Sequence, residues 1–393
     1  MWKLSVNRLK IFCSTLTGFL LFTGSAFHSL HSDLMAVYPQ ERILKIGLMV
    51  SANPEEDPAA RELFQAATLA LLHLNSMETA RSDSMKLQLA VRAGEGDWGS
   101  ASRQSVELIF EEEVLAIAGA LDGENAHLTQ MAVAKSHLVY LETKAADVTL
   151  SEVNIHYFFR FSASDKQQTE VILNQLLHLP NVKSVFIATG STFDDVAASK
   201  EFKRGLQGHS ERISITELLE SDQLSESDLK GALERSRAEA ILVLGDYSLV
   251  NRVKHAAVKS GLEIPLFANG SYLVSRPLRK DTETLYPDYF ICPDFKDFTR
   301  WSHFRKRFHS EYGVYPGMQA AYLYDAVTLL GSAILAGNRD REALRAYLSN
   351  LTLREMVTGD VLFENRGDNL IAPSLCRGIE TVFPGYTSDF RPE

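Results

Sequence analysis

Apolar and polar positions along this chain fall into two alternating kinds of block. Short runs dense in branched apolar residues are followed by longer segments whose apolar positions recur every three or four residues. Ile43–Val50 (ILKIGLMV), Val114–Ala120 and Leu138–Leu141 are of the first kind and predict strands buried on both faces, while Lys86–Val91 alternates as a half-buried strand does. Ala59–Asn75, with Leu63, Ala66, Ala67, Ala70, Leu71 and Leu74 on one face, and Ser100–Glu113 are of the second kind and predict amphipathic helices. The stretch Val114–Asp147 holds the whole pattern. A strand leads into a loop of turn and cap formers, Asp122–Asn125; then come a helix with Leu128, Met131, Ala132 and Ala134 at helical spacing, and a second strand. Strand, helix, strand is the unit of a parallel sheet.

The alternation restarts near residue 162. After His156–Phe161 come a helix over Ser164–Leu179, a strand over Val182–Ala188, a loop over Thr189–Asp195 and a helix over Val196–Leu206. Strand Ile213–Leu218, helix Glu226–Arg237, strand Ala240–Gly245, helix Leu249–Ser260 and strand Pro265–Ala268 follow. A short strand, Tyr289–Cys292, and two helices, Phe298–Tyr312 and Gln319–Ala336, come last. The pattern predicts an α/β fold of two doubly wound, Rossmann-like lobes. In such sheets ligands sit outside the carboxyl ends of the strands, so Asp122–Asn125 and Glu142–Asp147 are expected to form half of a binding mouth. Asp122 suits a second role equally, capping the helix that follows it.

Composition narrows the function. The chain has 393 residues, 45% of them hydrophobic, and a net charge of −10 without any basic stripe, which argues against a nucleic-acid partner. Its amino terminus differs from the rest. Lys3, Arg8 and Lys10 precede the apolar run Ile11–Phe22 and the small residues before Phe27, the plan of a secretory signal peptide over residues 1–26. Its removal would take away three cations and no anion, moving the net charge from −10 to −13. Cys13 would leave with it. Export would permit a disulfide between Cys292 and Cys376, which the sequence alone leaves open. No phosphate-cradling loop, nucleophile elbow, HExxH or CxxC occurs. Nothing positive speaks for catalysis or for a cofactor.

Three stretches carry a resemblance. HYFFRFSASDKQQ (His156–Gln168) is similar to the crossover of type I periplasmic binding proteins, in the leucine/isoleucine/valine-binding branch of ABC transporters. MQAAYLYDAVTLLGSAILAGNRDREALRAYLSNL (Met318–Leu351) resembles that family's closing helices, and VTGDVLFENRGD (Val357–Asp368) its hairpin, with Asn365, Gly367 and Asp368 suited to a turn. The resemblance implies two lobes joined by a three-strand hinge, crossing near Phe161–Ser164, Cys292–Asp294 and Met356–Gly359. Lobe one would then be 43–161 plus 294–356, and lobe two 162–293 plus 357–393. It further implies a periplasmic protein that closes on a small ligand and presents it to an ABC permease in the inner membrane. A sensor or accessory protein acting through a protein partner is the alternative.

Their place on loops at strand carboxyl ends and the same resemblance together give as ligand-binding residues Asp122, Gly123, Glu124, Glu142, Thr143, Lys144, Asp194, Asp246, Tyr247 and Asn269. Several depart from the family's pattern. The loop that reads like GPxSSG in amino-acid binders is GALDGENA here, with Asp122 and Glu124 in place of hydroxyls. Lys144 stands near the usual carboxylate-binding threonine, Asp194-Asp195 replaces a tyrosine–glycine pair, and Asn269 replaces the acid that holds the ligand's ammonium. Tyr247 keeps an aromatic residue. An anionic loop repels a ligand carboxylate, so the expectation is a small polar ligand (amino acid, amide or amine-like), cationic or strongly hydrogen-bonding in preference to a leucine-like zwitterion; a binder of the usual hydrophobic amino acids with rearranged loops stays open.

Overall fold

The computed structural model of the protein describes residues 42–77, 85–94, 96–97, 99–276, 285–295 and 298–378. The segment read as a signal peptide lies outside the described residues. Strands β1 (Arg42–Val50), β2 (Met85–Ala93), β3 (Ala116–Gly119), β4 (Val139–Glu142) and β5 (Phe158–Arg160) form a parallel sheet in the order β2-β1-β3-β4-β5. Helices α1 (Pro58–Asn75), α2 (Ser100–Phe110), α3 (Gly123–Ser136) and the single turn α4 (Thr149–Glu152) connect them. Every residue of β3 and β4 is buried, because helices cover both faces of the sheet.

Helix α5 (Asp165–His178) opens the second lobe, followed by β6 (Ser184–Thr189), α6 (Phe193–Leu206), β7 (Ser214–Leu218), α7 (Glu226–Ser236) and β8 (Ala240–Leu244). Helix α8 (Tyr247–Lys259), β9 (Leu266–Ala268), the short α9 (Gly270–Val274) and β10 (Tyr289–Cys292) complete its run. Strands β7-β6-β8-β9-β10 repeat the order of the first sheet. In each sheet the order reverses beside its first strand, and the crevice at that switch point is where such folds take ligands. The chain then returns: α10 (Phe298–Tyr312) and α11 (Met318–Leu335) pack on α1, and α12 (Arg341–Ser349) follows. The paired α/β lobes are those the hydrophobic pattern predicts.

The third passage between lobes differs from expectation. Met356–Gly359 is the turn of a hairpin between β11 (Arg354–Met356) and β12 (Gly359–Val361). The chain beyond it stays with the first lobe. Arg160 N donates to Gly367 O (2.8 Å) and Asn369 N donates to Arg160 O (3.1 Å), so residues 367–369 run along the free edge of β5. Gly367 is required there. Its φ is +87°, and a Cβ would stand 2.0 Å from Phe158 O. Only at β13 (Ser374–Cys376) does the chain join the second sheet, antiparallel to β10. Residues 357–371 therefore do not sit in the second sheet, as the proposed boundary had it. The passage between lobes thus follows the hairpin, not Met356–Gly359. Cys292 and Cys376 are bonded to each other, which ties β13 to β10.

Arg160 pins this junction from inside. It is fully buried, and its Nε donates to Asp368 Oδ1 (2.7 Å), its Nη1 to Asp147 O (2.7 Å) and its Nη2 to Ser151 Oγ (2.6 Å). One guanidinium thus fastens β5, the loop after β4, α4 and the returning chain.

Candidate ligand-binding cleft

The loops at the strands' carboxyl ends meet across a cavity of about 420 Å³ between the two sheets. The first lobe contributes Asp122 and Glu124 from the start of α3, and Thr143 and Lys144 after β4. The first crossing contributes Ser162, Asp165 and Gln168. The second lobe contributes Asp194 and Asp195 after β6, Asp222 after β7, Asp246 after β8 and Ser271 after β9. Apolar wall comes from Phe193, Leu249, Leu273, Val274 and Ile291. Seven carboxylates and one cation, Lys144, face this space among the described residues.

Several of these acids also cap helices. Asp122 accepts from Asn125 N (2.8 Å), and Asp246 accepts from Leu249 N (2.8 Å). Thr192 and Asp195 form a reciprocal capping box, which starts α6 at Phe193. Asp194 and Asp195 are therefore in the first turn of a helix, where the sequence predicted a loop.

Asp194 reaches across the cleft. Its Oδ1 accepts from Gly123 N (2.9 Å), the first helical residue of α3 in the opposite lobe. A Cβ on Gly123 would stand 2.4 Å from that oxygen, so glycine allows the approach. The free N–H groups at a helix amino end are a natural seat for an anion. Here a protein carboxylate occupies part of it.

Burial raises the carboxyls of Asp194 and Asp195 to about 6 each. For Asp194 the Gly123 amide and Lys144 oppose the rise, while Asp122 and Asp195 add to it. Asp195 is raised further by Asp246 and Asp222. Asp165 is pushed to about 8, chiefly by burial; Arg160 opposes this, and Asp194, Asp147 and Glu201 add to it. Its residue is 5% exposed. Carboxyls displaced this far by burial in a cleft are candidates for a functional site.

Four of the sequence-predicted site residues turn elsewhere. Glu142 is fully buried behind the cleft, where its Oε1 accepts from the amides of Leu121 (3.3 Å), Thr143 (3.0 Å), Lys144 (2.8 Å) and Ala145 (3.2 Å). Its other oxygen accepts from the Tyr140 hydroxyl. It shapes the loop and does not face a ligand. Tyr247 lies back on Tyr272, with centroids 6.1 Å apart. Asn269 Oδ1 accepts from Gly245 N (3.3 Å), bracing two loops from below. Gly123 is spent on Asp194. Thr143 does border the cavity, but its Oγ1 donates to Gly119 O (2.7 Å) and accepts from Gln319 Nε2 (2.9 Å).

Sequence reasoning passed over Asp165, Ser162 and Asp222, and named Asp195 only as the neighbour of Asp194. The signal for Asp165 was in the crossover motif, where Ser164-Asp165 reads as a helix start. Its burial is a product of tertiary packing and has no local mark in the sequence.

The model of the periplasmic binding protein family matches residues 44–373. No curated protein sequence matches the chain at a significant level. Among solved structures, the chain is similar to the branched-chain amino acid transporter substrate-binding protein LivJ of Streptococcus pneumoniae in complex with isoleucine. The TM-score is 0.68 at 18% identity, covering 86% of this chain and 100% of that one. The leucine-binding protein LivK of Thermotoga maritima gives 0.68 at 16%, covering 83% and 93%. A solute-binding protein of an ABC transporter from Rhodopseudomonas palustris, in complex with 3,4-dihydroxybenzoic acid, gives 0.67 at 16%, covering 85% and 91%. Matched over most of its length and folded as two doubly wound lobes about a cleft, the chain belongs to the periplasmic binding protein family, in its type I form.

Proposed function

We propose that this protein is the extracytoplasmic solute-binding component of an ABC-type transporter and that it captures a small solute bearing positive charge. The observation that carries the reading is the Asp194–Gly123 contact. A zwitterionic amino acid needs a seat for its carboxylate, and a protein carboxylate already faces that helix end at 2.9 Å. Adding a ligand carboxylate among seven acids would cost several-fold in affinity or more, since like charges brought together out of water repel strongly. A cation gains from the same field. Structural relatives are described as binding isoleucine, leucine and 3,4-dihydroxybenzoic acid, so one fold accommodates different chemistries by its loops.

In this reading the lobes part and close about the passages at Phe161–Ser164, Cys292–Asp294 and the strand entering β13, and the closed form docks on a permease. Thermal-shift screening tests it. Amines and guanidinium compounds should raise the melting temperature, by the equivalent of about 2.7 kcal/mol at a hundredfold excess over Kd. Leucine, isoleucine and valine should not. The strongest hit should also shrink the radius of gyration in small-angle scattering. A large shift with leucine and none with any cation would remove the charge argument. Export rests on residues 1–26: amino-terminal sequencing of secreted protein should start near Phe27, and retention of Met1 in membranes would contradict it.

A further inference from the structure

The cleft acids gather in two places. Asp195 and Asp222 converge on the turn after β6: Asp222 Oδ2 accepts from Ser191 Oγ (2.6 Å), and a Cβ at Gly190 would meet Asp195 Oδ2 at 2.2 Å. Asp246 lines the same cavity, and its charge adds to the rise of Asp195 that burial chiefly causes. Asp165 stands apart from these, at the first crossing. Its carboxylate is buried, borders the cavity and accepts no hydrogen bond among the described residues. Ser162 Oγ borders the same cavity, is shut from bulk water and lacks a partner. Buried polar groups are nearly always satisfied, so an orphan hydroxyl beside a carboxylate without a hydrogen bond, both facing one cavity, indicates a missing partner. Asp222 Oδ1, at the other cluster, is a third buried oxygen without one.

A single metal ion does not answer both clusters. Among the described residues, no three Asp, Glu, His or Cys side chains stand close enough to share one. Separated charge on an organic chain does, and Leu249, Leu273, Val274 and Ile291 offer methylene groups an apolar wall in the same space.

Resting on the functional reading above, we propose that the ligand is an organic dication lacking an α-carboxylate. One ammonium or guanidinium group donates to Asp165 and Ser162, and the other faces Asp195, Asp222 and Asp246. Each cation then replaces hydration with charge-assisted hydrogen bonds to these acids; the Arg160 charge that Asp165 feels is already hydrogen-bonded to Asp368.

Three five-carbon probes separate the features: pentylamine has one cation, 1,5-diaminopentane has two, and lysine has two plus a carboxylate. Calorimetry on the exported chain at low salt and pH 8 should find the diamine bound at least about tenfold tighter than either other probe, the scale expected for one added or one repelled charge. Asp222→Asn should reduce the diamine to the affinity of pentylamine, while Asp165→Asn should weaken both amines about tenfold or more. Diamines of three to eight carbons cover a mismatch of length. Equal binding of pentylamine and every diamine would overturn the two-centre inference yet leave a cation site. Lysine binding tighter than the diamine would overturn it by revealing a carboxylate seat. Failure of all the amines overturns it too, and tight leucine binding in their place would remove the functional reading as well.

Discussion

Replacing Arg160 by Met should cost about 3–5 kcal/mol, the largest stability loss of any single substitution considered, because it breaks a buried ion pair from one side. The guanidinium is fully buried, so no water replaces its contacts. Without it, Asp368 loses its ion pair, and Ser151 Oγ and the Asp147 carbonyl lose their donor. Methionine fills much of the stem's volume, so the loss reads out charge and hydrogen bonding more than a cavity. Urea unfolding followed by circular dichroism measures it. Asp368→Asn keeps a hydrogen-bonding group on the guanidinium and should lose less, about 1–2 kcal/mol. Equal stability of Arg160→Met and wild type would mean that the returning chain does not depend on this pin.

Asp165→Asn should act in the opposite direction on stability. In the folded, ligand-free protein the acid titrates at about 8, against an ordinary value of 3.8. The folded state therefore holds a proton that the unfolded chain has released, and the stability tied to this group falls as pH rises from about 4 to about 8. Asp194 and Asp195, raised to about 6, contribute the same sign over the lower part of that window. Asp325, buried beneath the Val357 and Thr358 amides and raised to about 7, adds to it away from the cleft. Asparagine copies the neutral acid, so the variant should match wild type only below about pH 4, pull ahead as pH rises, and melt at least roughly 2–4 °C higher near pH 8. Its slope against pH should be shallower. A variant that is destabilised at pH 8 would mean that the carboxylate is a structural ion, not a waiting ligand group. Stability gained where binding is lost is the mark of a group kept for function.

Much of the fold was legible because parallel strands buried on both faces must be nearly continuous apolar runs. Val182–Ala188 and Ala240–Gly245 each fall within a residue or two of their strands, β6 and β8. Ends governed by side-chain caps were less so: Thr192 starts α6 earlier than its apolar spacing does, which moves Asp194 and Asp195 from loop to helix. The cleft was half legible. Asp122, Glu124, Lys144, Asp194 and Asp246 follow from the rule that ligands sit at strand ends, and all border the cavity. Glu142 obeys the same rule and yet points away, since four backbone amides and a tyrosine hydroxyl compete for its carboxylate. No periodicity reveals which side of a loop a side chain takes. Asp165 was missed for the converse reason: it lies at the crossing rather than at a strand end, and its burial is a product of tertiary packing.

The central claim is that buried cleft carboxylates wait for a cation, and proton release on binding tests it most directly. A bound cation favours the ionised form of Asp165, Asp194 and Asp195, so protons held by the free protein must leave when it binds. Titrating 1,5-diaminopentane into the protein by calorimetry at pH 7, in two buffers of different ionisation enthalpy, counts them. The account predicts net proton release, affinity that weakens as pH falls from 8 to 6, and a smaller release in Asp165→Asn. Tight leucine binding with no proton exchange, unchanged in Asp165→Asn, would contradict it.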